Sequence, residues 1–220
     1  MGKSGQHEVR LVSALPPSCD HEQLLILCPF LSGLDPAVGM WLGPLAWHNC
    51  NAALLAALAQ PIPPGSTVFA AAFGADPFEP WDDLLAALQA RGVAGVANLP
   101  SVSFFDGEFA QTLTAMNLGM DRELAFLRRA GARGLRIAGC ARELADAHAM
   151  LELGAQLVIT HAGPPAPKQS RQREDHCKRL TRHLGECSAQ VLSLYDLVAR
   201  SSVLASTTPD QAMPPDRELL

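Results

Sequence analysis

From residue 24 onward the chain alternates short, almost wholly apolar runs with longer amphipathic stretches. Parallel strands joined by crossover helices produce that rhythm, because such strands are buried on both faces while each helix buries one side only. Residues 24–30 (LLILCPF) read as the first buried strand, stopped by a Ser-Gly turn. Residues 51–59 (NAALLAALA) read as a helix of strong helix formers, ended by Pro61, Pro63, Pro64 and Gly65. Residues 67–73 (TVFAAAF) are the next strand. Residues 81–91 (WDDLLAALQAR) are the next helix, with acids in its first turn and Gly92 beyond its last. A strand at 93–99, helices near 108–113 and 121–130, a strand at 135–139, a helix at 141–153 and a strand at 156–161 (QLVITH) continue the series. The spacing is that of a TIM-like barrel.

After His161 the rhythm weakens. Pro164, Pro165 and Pro167 lead into a charged run, 168–182, that predicts a solvent-facing helix, and 189–194 and 202–206 are weaker strand candidates. Residues 1–20 and the proline-bearing tail 208–220 read as loose, which leaves 21–207 as a single domain. The expected class is α/β: a TIM-barrel-like (β/α) parallel barrel, shortened or incomplete around its second strand and at its C-terminus. Closed barrels typically take about 250 residues and at least about 200. A chain of 220 residues with loose ends leaves little margin. An open sheet edge would recruit a second chain, so a homo-oligomer is expected.

Composition narrows the partners. A hydrophobic fraction of 48% with 18% charged residues allows a sizeable core, and a formal net charge of -5 argues against a surface built for nucleic acid. No apolar run is long enough to span a membrane, and the first residues are polar where a signal peptide is apolar, so a soluble, cytoplasmic protein without membrane contact is expected. Six cysteines without a Cys-x-x-Cys pair read as free thiols. His176, Cys177, His183 and Cys187 have loose ligand spacing, but zinc would need a second element to close its tetrahedron, and the segment reads as a charged helix.

Residues at the carboxyl ends of parallel strands converge on one rim, and chemistry is sought there. The polar candidates are Asp76, then Asn98, Ser101 and Asp106, then Cys140 and Arg142, and finally His161. Asp76-Pro77 and Asp106-Gly107 are also favoured turn sequences. His161 can serve as acid, base or ligand, or stand as a buried imidazole with its hydrogen bonds met.

Four stretches carry a family resemblance: VFAAAFGADPF (68–78), GVAGVANLPSVSFFDGEF (92–109), NLGMDREL (117–124) and LELGAQLVITHAG (151–163). They resemble the phosphoenolpyruvate hydrolase-like TIM-barrel family, which also appears as the C-terminal domain of a plant tobamovirus-resistance protein. The resemblance marks Asp76, Asn98, Asp106, Glu123 and His161. It implies an enzyme, a hydrolase or lyase, that binds a small phosphorylated or carboxylated acid, with a divalent cation such as Mg2+ holding the anion. On that reading Asp76, Asp106 and His161 are catalytic, and Asn98, Ser101 and Glu123 contact substrate.

The departures bear on activity. Residues 28–33 (CPFLSG) replace a glycine-rich loop, and one βα unit is expected to be reduced or missing between the first strand and the helix at 51. Where the family has a Gly-Gly anion loop, Pro164, Pro165 and Pro167 lack amide donors, and Tyr195-Asp196 occupies the place of a late His-Gly-Gly. The alternative reading is a catalytically degenerate barrel that acts as a binding or regulatory module.

Overall fold

The computed structural model describes residues 8–19, 23–45, 48–163, 170–185, 187 and 189–201. Seven strands lie in chain order across one sheet: β1 Glu8–Val12, β2 Gln23–Leu27, β3 Ser66–Ala71, β4 Gly95–Ala97, β5 Arg136–Ala141, β6 Leu157–Thr160 and β7 Gln190–Ser193. Every neighbouring pair is parallel. The sheet curls into a half-barrel with helices between its strands, an α/β, incomplete TIM-barrel-like fold. Its helices are α1 Pro36–Leu42, α2 Cys50–Ala57, α3 Trp81–Ala90, α4 Gly107–Ala115, α5 Met120–Ala132, α6 Leu144–Glu152, α7 Ser170–His183 and α8 Leu194–Ser201.

Alternate strand residues feed two cores. Leu25, Leu27, Val68, Ala70, Val96, Ile137 and Val158 point outward against the helices, joined by Leu54, Leu85, Phe126 and Met150. Val9, Leu11, Ile26, Phe69, Ala71, Ala138 and Ile159 point inward. Each fully buried aliphatic side chain stabilises by about 1.5–3 kcal/mol relative to exposure, so both layers hold the curl. Gly139 lets α6 approach β5, since a Cβ there would collide with the Met150 sulfur.

Several expectations change. The stretch 24–30 is the second strand of the sheet, not the first, and it stops at Leu27. Pro29, which has no N–H to donate, opens a 3-10 turn over Pro29–Leu31 instead. Residues 8–12, inside the segment read as loose, form β1 and pair along their length with β2. The reduced unit therefore lies between β1 and β2, where 13–19 hold no helix, and not after β2, where α1 and α2 lie. The run read as a solvent-facing helix is amphipathic: α7 buries Cys177 and Leu180 against the sheet. The His176 Nε2–H donates to the Arg142 carbonyl oxygen at 2.8 Å, and all six cysteines are free thiols.

The weak candidate at 189–194 is strand β7, and α8 follows it with no intervening loop. Leu194 and Leu197 are buried in the inward core, and α8 packs against both β7 and β1. A helix from the chain itself therefore covers the gap where an eighth strand would close the barrel. The strand candidate at 202–206, the tail 208–220 and the prolines at 164, 165 and 167 lie outside the described residues. Among the described residues no helix is long and apolar enough to cross a membrane.

Candidate functional site

All strand carboxyl ends share one side of the parallel sheet, and the side chains just past β4 and β6 meet there. β4 is short because Asn98 takes over its pairing. The Asn98 Oδ1 accepts the Cys140 N–H at 2.6 Å and its Nδ2 donates to the Cys140 carbonyl at 3.3 Å, so one side chain continues the ladder to β5. The same Nδ2 reaches Glu123 Oε2 at 2.7 Å.

Glu123 stands in the first turns of α5 and is fully buried. Its Oε1 accepts the Val102 N–H at 2.7 Å, and its Oε2 pairs with the Ser101 hydroxyl at 2.7 Å. Burial raises its pKa to about 7, against the lowering effect of the donors from Asn98, Val102 and Ser101. The carboxyl group therefore changes protonation near neutrality without contact with solvent.

Ser101 caps the 3-10 turn Val102–Phe104, accepting the Ser103 N–H at 3.2 Å, and its hydroxyl lies 2.7 Å from that of Ser103. Ser103 Oγ in turn lies 2.8 Å from His161 Nε2. His161 is fully buried, with its ring stacked on Phe104 at 4.0 Å between centroids. Burial first, then the positive field of Arg142, Arg173 and His176, pushes its pKa down to about 3. The ring is neutral at pH 7. Its Nδ1 accepts the Gly163 N–H at 3.0 Å, which places the ring proton on Nε2 and makes Ser103 Oγ the acceptor. Glu123, Ser101, Ser103 and His161 thus form an unbroken buried chain.

Ser103 is the link that reaches a cavity. It lines a pocket of about 270 Å³ together with Asp106, Arg142, Glu143 and Asp146. The Arg142 guanidinium holds Asp106 at 2.9 Å and the Phe105 carbonyl at 3.3 Å. Asp106 is exposed, so that pair contributes about 0–1 kcal/mol. Burial, then the charge of Glu143, raises the pKa of Asp146. Arg173 donates to the Gly163 carbonyl and, at 3.1 Å, to the Tyr195 hydroxyl, adding a second cation beside His161.

The six candidates named from the sequence divide. Asn98, Ser101, Glu123 and His161 are brought together, and all four are buried. The first three hydrogen-bond one another and do not line the pocket that Ser103 lines. Asp106 stands at that pocket's mouth, and Asp76 does not join them: it lines a separate cavity. Ser103 was missed, although the Ser-x-Ser spacing of residues 101–103 carries the signal that both hydroxyls sit on one turn. Asn51 was missed as well. Its amide clamps both backbone groups of Phe73 at 2.9 and 3.2 Å and fixes the loop that carries Asp76. Among the described residues no three His, Cys, Asp or Glu side chains gather where they could hold a metal ion.

A sequence model of the phosphoenolpyruvate hydrolase-like family matches residues 36–200. The uncharacterized protein y4oT of Sinorhizobium fredii is 38% identical over 124 residues, which cover 56% of this chain and 62% of that protein. The ToMV resistance protein Tm-1(GCR237) of Solanum lycopersicum is 32% identical over 127 residues, 57% of this chain and 17% of its own length. The ToMV susceptible protein tm-1(GCR26) of the same plant matches to the same extent. The chain thus spans less than two thirds of the curated relatives it matches.

Proposed function

The chain belongs to the phosphoenolpyruvate hydrolase-like family, and on that premise we propose that it binds a small phosphorylated or carboxylated acid at the carboxyl-end rim and moves a proton to or from it, as a hydrolase or lyase of the phosphoenolpyruvate-processing type. The observation that carries this reading is the hydrogen-bond chain from Glu123 through Ser101 to Ser103, which ends at a pocket wall.

The chemistry follows from where the protons sit. With Glu123 protonated, its hydroxyl donates to Ser101, Ser101 donates to Ser103, and the Ser103 hydrogen faces the pocket as a general acid. With Glu123 ionised, the same hydroxyls turn round and Ser103 takes a proton from the pocket. A carboxyl group with its pKa near 7 serves either direction at neutral pH. His161 is a positioning residue: its Nε2–H always points into the Ser103 oxygen and leaves the serine hydrogen to travel. Arg142 holds the acid group of the ligand, which displaces the exposed Asp106 carboxylate. Asn98 keeps Glu123 in line.

Thermal-shift titration with phosphoenolpyruvate and other small phosphorylated or carboxylated acids, with and without magnesium, tests the reading, because binding to the native state raises the melting temperature by mass action. A rise with at least one acid, lost in Arg142→Ala, is expected. For the acid that binds, Ser103→Ala and Glu123→Gln should each lower turnover by about a hundredfold or more. Silence across the panel, or unchanged turnover in both variants, overturns it.

A further inference from the structure

The cavity that holds Asp76 has the opposite character from the one beside Arg142. It measures about 350 Å³ and lies between the α1–α2 connection, the turn after β3 and helix α4. Among its described lining residues are four phenyl rings, Phe73, Phe78, Phe105 and Phe109, and none is Lys or Arg. Phe78 is 92% exposed and Phe109 47% exposed, and Phe105 and Phe109 meet edge to face at 4.8 Å. Open aromatic faces that solvent reaches are costly to leave bare and are suited to a ligand that covers them.

The charge in this cavity is negative. Asp76 lines it, and its Oδ1 accepts the Phe78 N–H at 2.9 Å. Glu79 lies close enough for the two carboxyls to repel: its pKa is raised by burial and then by Asp76. His48, which also lines the cavity, is held below its ordinary pKa by burial and adds no charge at neutral pH. Arg122 donates to the Asp76 carbonyl at 2.9 Å, yet its guanidinium lies over the Trp81 ring and does not line the cavity. A carboxylate among aromatic faces attracts an organic cation twice, by charge and by the ring quadrupole.

We infer that this cavity is a binding site for a small organic cation with an apolar body, a protonated amine or quaternary ammonium whose charge faces Asp76 and whose body lies against Phe105 and Phe109. The two cavities share Val102, Phe105 and Leu113 as a common wall, but the inference does not rest on the proposed proton-transfer chain.

Isothermal titration of the whole protein with benzyltrimethylammonium, and with 3-phenylpropionate as an anion of similar size, tests this. The cation should bind saturably and the anion should not. Asp76→Asn keeps an acceptor for the Phe78 N–H, and Phe109→Ala removes an exposed ring, so both variants should fold, as circular dichroism melting will verify. Each should weaken the cation by about tenfold, equivalent to 1.4 kcal/mol. No saturable binding of the cation, equal binding of the anion, or full affinity in both variants overturns the inference.

Discussion

Ser103 Oγ lies 2.8 Å from His161 Nε2, while the other nitrogen of that ring accepts the Gly163 N–H. A neutral imidazole has one proton to give, and this geometry commits it to the serine. The serine hydrogen is then shared between an inward partner, Ser101, and the pocket. A buried imidazole therefore decides which way a hydroxyl on the pocket wall can turn.

Ser103→Ala should expose that commitment energetically. It leaves the His161 Nε2–H buried without its acceptor, which costs about 1–3 kcal/mol, more than a serine-to-alanine change at the surface. Urea unfolding at pH 7 measures the loss, and an unchanged midpoint would show that the hydrogen bond is not made.

The pH profile of stability should show two opposed slopes. Glu123 has its pKa raised from 4.5 to about 7, so its contribution is complete below pH 4.5 and lost as pH rises to 7. His161 has its pKa lowered from 6.5 to about 3, so its contribution is complete above pH 6.5 and lost as pH falls to 3. Between pH 4.5 and 6.5 the two oppose each other, each by up to about 1.4 kcal/mol per pH unit. Glu123→Gln should therefore leave a profile that climbs with pH through this window, and His161→Gln one that descends. Urea midpoints at half-unit steps from pH 4 to 8 decide it, and parallel curves for wild type and both variants would contradict the assignment.

Asn98→Ala should act at a distance from its own position. The change orphans the Cys140 N–H and strips a donor from Glu123, for an expected loss of about 2 kcal/mol or more. Hydrogen exchange at the Cys140 amide should accelerate with it. Unchanged protection there would mean that β4 and β5 hold their spacing without the side chain.

Leu197→Ala should destabilise by about 2–4 kcal/mol although it lies on the last described helix, because its side chain is buried with β1 residues inside the curl. Removal of α8 should go further and produce concentration-dependent association, since β7 and β1 would then present bare edges. Sedimentation of the truncated chain, compared with the intact one, reports the outcome.

The parallel α/β frame is legible in the sequence because β3, β5 and β6 are buried on both faces and so read as apolar runs. β1 is not legible for the same physical reason reversed. No helix covers its outer face among the described residues, so its sequence, EVRLV, buries only Val9 and Leu11, with the charged Glu8 before them and Arg10 between them. α8 is hidden because it starts at the residue after β7, without the turn residues that usually announce a helix. Asn98 and His161 stand out by their places at the ends of apolar strands, and Glu123 only through the family resemblance. That they are joined through two serines inside the protein depends on the path of the turn after β4, and no local signal specifies that path.

The helix that stands in for the missing strand also sets an order of events in folding. β1 finds its inner cover only when a segment from the far end of the described chain arrives. Contacts between such distant segments slow folding. During synthesis the half-barrel would remain open while its strands emerge, and docking of α8 would be the step that dries its interior.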